Sequence, residues 1–434
     1  MKTYPDSVRF LYSLGNEVKT IKMGLERIQA LMGALGHPER AYAVVHVAGT
    51  NGKGSTCAMI EAGLRAAGHR TGLTISPHLL EPTERIQIDR VPVSEAEFVA
   101  AFERVHETAL RMVDEGTLDG HPTYFETVTA MAFWLFRERG VEWAVVETGL
   151  GGRLDATNIV EPRLSVVTPV DFDHEAWLGS SIEQIAGEKA GILKAGAGAA
   201  GRAWAGVGAG AVLAPMRDDA LRVLEERARE LGVVVVKAGE VAVEELETDA
   251  FGCRYRLGGE GGLRLTCGLA GEHQVVNSRT AAVALRELGI GDAAIARGIG
   301  EARWPGRLER VKTRPDVILD GAHNPAGVRA LARYIEQHFA GRRVWLIYGT
   351  MRDKSVDEIG DLLAPVASEV ILTAADSPRA LRPEALEPLF DHPRVRTAAR
   401  LADAWRMASE AGPEDAIFIT GSLLLVGEAY TILR

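Results

Sequence analysis

The sequence predicts an α/β protein in two parts: a larger N-terminal domain built on a mostly parallel sheet, residues 1–301, and a smaller Rossmann-like α/β domain, residues 302–434. Three observations carry that reading. Short β-rich apolar runs alternate with helically patterned segments over most of the chain, the signature of a parallel sheet with helices on its faces. At 434 residues the chain is long for one hydrophobic core. A Gly/Pro-bearing connector, GIGEARWPGRLERV at 298–311, interrupts the alternation, which then restarts.

The elements follow in order. GLERIQALMGALG, from Gly24, has the pattern of a helix, and AVVHVA at 43–48 reads as a buried strand. STCAMIEAGLRAAG, from Ser55, supplies a second helix, and SEAEFVAAFERVHETAL a third. WAVVETG (143–149) and LSVVTPV (164–170) are further strands. The Ala/Gly-rich tract Lys194 to Pro215 lacks a strong period and reads as a loop plus a weak strand. VVVVKAGEVAVEEL and FGCRYRLGG are expected as antiparallel edge material, and SRTAAVALRELG as a helix leading into the connector near Ala302. Beyond it, VILDGAHNP (317–325), RRVWLIYGT, SEVILTAA and EDAIFITGS supply the strands of the second domain.

Composition narrows the partners. A formal net charge of −10 argues against nucleic acid and against electrostatic attachment to a membrane. The three cysteines, Cys57, Cys253 and Cys267, have no C-x-x-C spacing, which fits a reducing compartment. The first residues, MKTYPDSVRFLYSLG, lack the apolar core of a signal peptide, and no run has the length of a membrane span, so a cytoplasmic protein is expected.

The chemistry begins after the first strand, at HVAGTNGKGSTCAM (46–59). The spacing is not that of a standard P-loop, since Gly49 and Gly52 enclose only two residues and Gly54 separates Lys53 from Ser55. The physics is the same: a strand, a glycine turn, a lysine and hydroxyls at a helix N-terminus make a phosphate-binding device. The first domain is therefore expected to be a P-loop-type ATPase domain. An ordinary strand-to-helix turn is the alternative.

Ligands in such sheets sit at the carboxyl ends of the strands. WAVVE ends at Glu147 and runs into TGLGGRLDATN, with Asp155 beside it; LSVVTPV ends in DFDHEAWLG, which brings Asp171, Asp173 and His174 to the same edge. Carboxylates and an imidazole next to a phosphate loop suit a divalent-metal site, although a capping histidine would also place His174 there. Lys189, in IEQIAGEKAGILK, is either a solvated charge or a positive group near phosphate. In the second domain the strand VILD ends at Asp320, and WPGRLE places Arg307, an anion-binding fork or an exposed arginine, on the connector. A nucleotide clamped by both domains is the reading that joins these placements.

HVAGTNGKGS, SPHL with ERI (Ser76–Leu79 and Glu84–Ile86), TYFE (123–126), VVETGLGGRLDATN, DHEAWLG, GEKAGILK, WPGRLE and DGAHNP occur in one order, and in that order they resemble the folylpolyglutamate and dihydrofolate synthases of the Mur ligase superfamily. The resemblance runs from Gly24 to TGSLLLVGEA near the end. It implies an ATP- and Mg²⁺-dependent ligase that activates a folate carboxylate as an acyl phosphate and joins it to L-glutamate, with dihydropteroate as a second acceptor. It further implies that Thr50, Asn51, Gly52, Lys53, Gly54 and Ser55 hold the phosphates. Ser76, Glu147 and His174 would be Mg²⁺ ligands, joined by Lys189 in a carbamylated form. Asn277, Arg307, Asp320 and His323 would attend the rest of the nucleotide, and Thr123, Phe125, Glu126, Asp155 and Ala156 the pterin. Lys53, Glu147, His174 and Lys189 are the expected catalytic set, and a monomer is expected. A muramyl-type acceptor, or a non-catalytic ATP-binding switch, are the alternatives; Asp171 receives no role.

Overall fold

The computed structural model describes residues 3–15, 24–195, 210–259, 261–352 and 358–433. These group into two compact units. The first comprises 1–243, 257–265 and 276–302; the second comprises 244–256, 266–275 and 303–434. The second unit therefore includes two short pieces of chain that precede residue 302.

The main sheet of the first unit has eight strands: β1 (Ala43–Ala48), β2 (Thr71–Thr74), β3 (Ile86–Ile88), β4 (Val91–Pro92), β5 (Trp143–Glu147), β6 (Leu164–Val167), β7 (Ala211–Leu213) and β8 (Val235–Lys237). Their order is β4-β3-β2-β5-β1-β6-β7-β8. From β2 to β8 every pairing is parallel, and β3 and β4 add an antiparallel margin. β1, β5 and β6 are apolar almost without interruption because both faces are covered, which is why they are legible as strands. The weak strand expected in the Ala/Gly-rich tract is β7; residues 196–209 of that tract lie outside the described part. One expectation is corrected. Val235–Lys237 is an edge strand as anticipated, yet it pairs parallel with β7, because α8 (Asp218–Leu231) makes the crossover that returns the chain in the same direction.

Around the sheet lie α1 (Tyr4–Ser13), α2 (Glu26–Ala34), α3 (Lys53–Ala66), α4 (Glu95–Asp114), α5 (Tyr124–Glu138), α6 (Glu175–Leu178), α7 (Ile182–Ala190) and α8. Ser94 caps α4, Thr123 caps α5 and Ser181 caps α7, each in a reciprocal box with an acid or amide three residues on. One core packs Phe98 and Phe102 of α4 against Phe133 and Phe136 of α5, all with no exposed surface; each such side chain contributes about 1.5–3 kcal/mol of burial.

The chain continues through β9 (Val243–Asp249), β10 (Gly252–Leu257) and β11 (Leu263–Cys267), a sheet of order β11-β10-β9, then α9 (His273–Glu287) and α10 (Asp292–Glu301). The second unit is built on β12 (Glu309–Lys312), β13 (Asp316–Leu319), β14 (Val344–Tyr348), β15 (Glu369–Leu372), β16 (Val395–Thr397) and β17 (Ala416–Thr420). Their order is β12-β13-β17-β14-β15-β16, parallel from β13 to β16 with β12 antiparallel at one edge. Its core holds Val328 and Leu331 against Leu346, Tyr348 and Phe418. Cys57, Cys253 and Cys267 are all buried and unbridged. Among the described residues no helix is long and apolar enough to cross a membrane.

Candidate active site

In the first sheet β1 leads toward β2 and β5 on one side, while β6, β7 and β8 extend on the other. The switch point lies between β1 and β6, where open α/β sheets bind ligands. Leaving β1, the chain passes Gly49 at φ 153°, and a Cβ there would stand 1.8 Å from Thr168 Oγ1. Thr50 N and Asn51 N both donate to Pro169 O, at 2.9 and 3.3 Å. Thr50 Oγ1 donates to Asp171 O at 2.9 Å and accepts from Asp171 N at 3.1 Å. These bonds fasten the loop to the exit of β6 and show what Asp171 does there with its main chain. They also turn the amides of Thr50 and Asn51 toward Pro169, while the amides of the first turn of α3 follow directly after the loop.

Gly52 takes the left-handed N-cap position at φ 84°, and α3 begins at Lys53, two residues before the expected Ser55. The first-turn amides of a helix have no partner within it, which brings Lys53, Gly54 and Ser55 to an anion-binding end. Asn277 of α9 lies against this turn, its Oδ1 2.2 Å from where a Cβ on Gly52 would be. Lys53 Nζ donates to Gly49 O (3.1 Å) and Thr50 O (3.2 Å), and Lys189 Nζ donates to Gly49 O at 2.8 Å. Lys189 is buried, and burial, with the nearby Lys53 charge second, pushes its pKa down to about 7 against the opposing pull of Asp173 and Asp155.

Glu147, at the tip of β5, is 5 % exposed. Its Oε2 accepts from Ser76 N, just past β2, at 3.2 Å. His174 stands at φ 53° before α6; its N–H donates to Asp173 Oδ1 at 2.9 Å and its Nε2 lies 3.8 Å from the same oxygen. Among the described residues no three His, Cys, Asp or Glu side chains converge as a metal cluster. Of the expected ligands, Ser76 donates its backbone N–H to Glu147, His174 bonds the neighbouring Asp173, and Lys189 bonds Gly49 O. Such a donor set fits Mg²⁺, which takes one or two protein oxygens and completes its shell with phosphate and water.

A second group of residues lines the start of α5 and the loop after β5. Thr123 Oγ1 accepts from Glu126 N at 3.3 Å while Thr123 N donates to Glu126 Oε2 at 2.7 Å. That oxygen also receives Arg27 Nη1 at 3.2 Å, beside a cavity of about 320 Å³ that Arg27, Ala30, Leu118, Asp119 and Glu126 help to line. The Phe125 ring lies so close over Gly149 that a Cβ on the glycine would be 2.6 Å from it. Asp155 is buried with both oxygens engaged: Oδ2 by Leu150 N at 2.8 Å, Oδ1 by Thr157 N at 3.0 Å and by the Thr157 hydroxyl. Burial raises its pKa, and those donors oppose the rise. Ala156 is buried at the head of the short turn Ala156–Ile159.

In the second unit Asp320 follows β13 and accepts from Leu308 N at 3.0 Å and Ala322 N at 2.9 Å. Burial raises its pKa against the Arg307 charge. The Arg307 guanidinium reaches Gly306 O at 3.3 Å, and His323 Nδ1 lies 2.8 Å from Gly321 O. Sequence reasoning missed Glu309, whose carboxylate takes Gly306 N at 2.8 Å and the Tyr430 hydroxyl and so shapes the turn that carries Arg307. Its place in the WPGRLE motif was the available signal. It also missed Thr157 and His46, which the motifs contain but whose pairing spans 111 residues.

Two Mur ligase families match the chain, the Mur ligase middle domain at residues 47–285 and the glutamate ligase domain at 306–423. Fold and site thus define a Mur-type ligase. A dihydrofolate synthase/folylpolyglutamate synthase of Mycobacterium tuberculosis is 39 % identical, with 95 % of this chain and 90 % of that protein covered. One from Bacillus subtilis is 35 % identical, with 94 % of each covered. The M. tuberculosis folylpolyglutamate synthase structure complexed with ADP superposes with a TM-score of 0.88 at 35 % identity, covering 98 % of each chain. The E. coli FolC structure in complex with DHPP and ADP gives 0.85 at 30 % identity, covering 100 % of this chain and 98 % of that one. The chain belongs to the folylpolyglutamate synthase/dihydrofolate synthase family and is an ATP-dependent ligase.

Proposed function

We propose that this enzyme joins L-glutamate to tetrahydrofolate and also to dihydropteroate, with ATP and Mg²⁺, as a monomer in the cytoplasm. Residues 1–301 serve as the nucleotide- and acceptor-binding domain and 302–434 as the ligase domain. The observation that supports it best is the gathering of a phosphate loop, two acid-bearing strand tips and two lysines at one edge of the first sheet, next to the Phe125–Gly149 wall.

A carboxylate is a poor electrophile. Its oxygen attacks the γ-phosphorus of ATP, releasing ADP and leaving an acyl phosphate; the glutamate amine then adds to the carbonyl carbon, loses a proton, and phosphate departs as the amide forms. Lys53 and the α3 amides, from Gly52 to Ser55, stabilise charge on the transferred phosphoryl oxygens. Ser76, Glu147 and His174 would hold Mg²⁺, which supplies further neutralisation of that charge. In this reading Thr50 and Asn51 shape the loop, Asn277 adjoins the nucleotide, and Arg307, Asp320 and His323 are the nucleotide contacts of the second domain. Thr123, Phe125, Glu126, Asp155 and Ala156 frame the pterin. The test is phosphate release with tetrahydrofolate, dihydropteroate and a muramyl precursor in parallel. Release should require glutamate and one of the two pterins; turnover with the muramyl compound alone, or none with folded protein, removes the proposal.

Lys189 is proposed to carry a carbamate. A neutral amine adds to CO₂ and gives up a proton, and an amine with a pKa of about 7 is substantially neutral at physiological pH. Below that pKa the ammonium form dominates and above it the amine, so incorporation of ¹³CO₂ should rise as pH is raised through 7 and fall on acidification. Carbon-13 NMR reads this directly, with Lys189→Met as the blank. A signal independent of Lys189 or falling with rising pH would sink it.

A further inference from the structure

His46, in β1, has no exposed surface and none of the roles above. Its Nε2 lies 2.8 Å from Thr157 Oγ1. That hydroxyl also contacts Asp155 Oδ1, which takes Thr157 N at 3.0 Å, while Oδ2 takes Leu150 N at 2.8 Å. The direction of the protons follows from the partners. A carboxylate met by two backbone N–H groups is an acceptor, so the Thr157 hydroxyl gives it its single proton and receives the His46 N–H on a lone pair. His46 is therefore the Nε2–H tautomer, and its Nδ1 sits buried with no hydrogen-bond partner among the described residues. Burial, with the Lys194 charge second, lowers the ring's pKa to about 3, so it stays neutral. An aliphatic residue would fill the same space without stranding a ring nitrogen, so packing alone is a poor reason for this histidine.

The relay ends where the acceptor wall begins. Asp155 closes the loop from Leu150 to Thr157, and Gly149, one residue before it, supports the Phe125 ring. We propose that His46 and Thr157 are positioning residues for the pterin acceptor: their hydrogen-bond relay holds Asp155, and through it the Gly149–Phe125 wall, in the geometry the acceptor meets. The inference rests on the assignment of Phe125 and Asp155 to that acceptor. Among the described residues the side chains of His46 and Thr157 hydrogen-bond to each other and to Asp155 and not to the Gly49–Ser55 loop. Thr157→Val leaves the β1 backbone and the Asp155 charge that acts on Lys189 in place, so its effect should fall mainly on the acceptor.

Thr157→Val removes the hydroxyl at nearly constant shape, and Thr157→Ser restores it. The valine variant should raise the KM for tetrahydrofolate by about tenfold, the scale of one lost hydrogen bond to a charged group, and leave the KM for ATP within about twofold. Serine should bring the first value back. In ¹⁵N spectra of the full-length enzyme, His46 should show a protonated Nε2 and a bare Nδ1, and the Nε2 resonance should move in the valine variant. An acceptor KM unchanged in the valine variant, or acceptor and ATP KM values rising together, overturns the relay. Phe125→Ala separates the causes. If it raises the acceptor KM and Thr157→Val does not, the relay alone fails; if Phe125→Ala has no effect, the pocket assignment fails and the relay's purpose falls with it.

Discussion

Glu147→Ala should lower kcat by at least about 10²-fold with the fold retained, because it removes a proposed Mg²⁺ ligand and with it the neutralisation of transition-state charge. Glu147 ends β5, whose apolar residues Trp143 to Val146 carry the pairing to β1 and β2. Truncating the side chain leaves those strands untouched and removes the acceptor of Ser76 N, which now donates to Oε2 at 3.2 Å; an unsatisfied donor of that kind costs about 1–3 kcal/mol. Glu147→Gln keeps an acceptor oxygen for Ser76 but loses the charge. Glutamate-dependent phosphate release and thermal melting on both variants separate chemistry from stability. If the glutamine variant turns over at near wild-type rate, charge at this strand tip is not what the reaction uses. A nucleotide switch without chemistry would show weaker binding as its only change.

Gly49→Ala should damage the proposed phosphate loop itself. At φ 153° the position is closed to side chains, and the added methyl would meet Thr168 Oγ1 at 1.8 Å and Thr168 Cβ at 2.9 Å. Backbone strain and overpacking together are expected to cost about 2–4 kcal/mol. The damage extends to function, because Gly49 O is the shared acceptor of Lys53 and Lys189. Nucleotide affinity measured by calorimetry should fall by more than tenfold, about 1.4 kcal/mol, alongside a lower melting temperature. Wild-type affinity in a well-folded alanine variant would show that the loop tolerates a different path.

The fold class was legible because AVVHVA, WAVVE and LSVV are buried on both faces and so appear as unbroken apolar runs. Thr71–Thr74, Ile86–Ile88 and Val91–Pro92 offered no such signal, being two to four residues long. The direction of Val235–Lys237 was misread because pairing direction is set by the crossover that precedes a strand, which local composition does not encode. Carboxylates at strand tips were legible for a geometric reason: a parallel sheet delivers every strand end to one edge. Hydrogen-bond partners were not. That Asp155 would be held by its own loop, or that the amides of Thr50 and Asn51 would turn to Pro169, depends on residues brought together only by folding.

The buried sulfurs have a practical corollary. Cys57 and Cys253 have their pKa values raised, the first by desolvation and the second mainly by its hydrogen bond to Cys267, so both are poor nucleophiles, and all three thiols are buried away from reagent. A maleimide dye should therefore ignore the native chain and attach only where a surface cysteine is introduced. Donor and acceptor fluorophores placed one on each unit could then follow the distance between them during turnover, with no background residue to delete first.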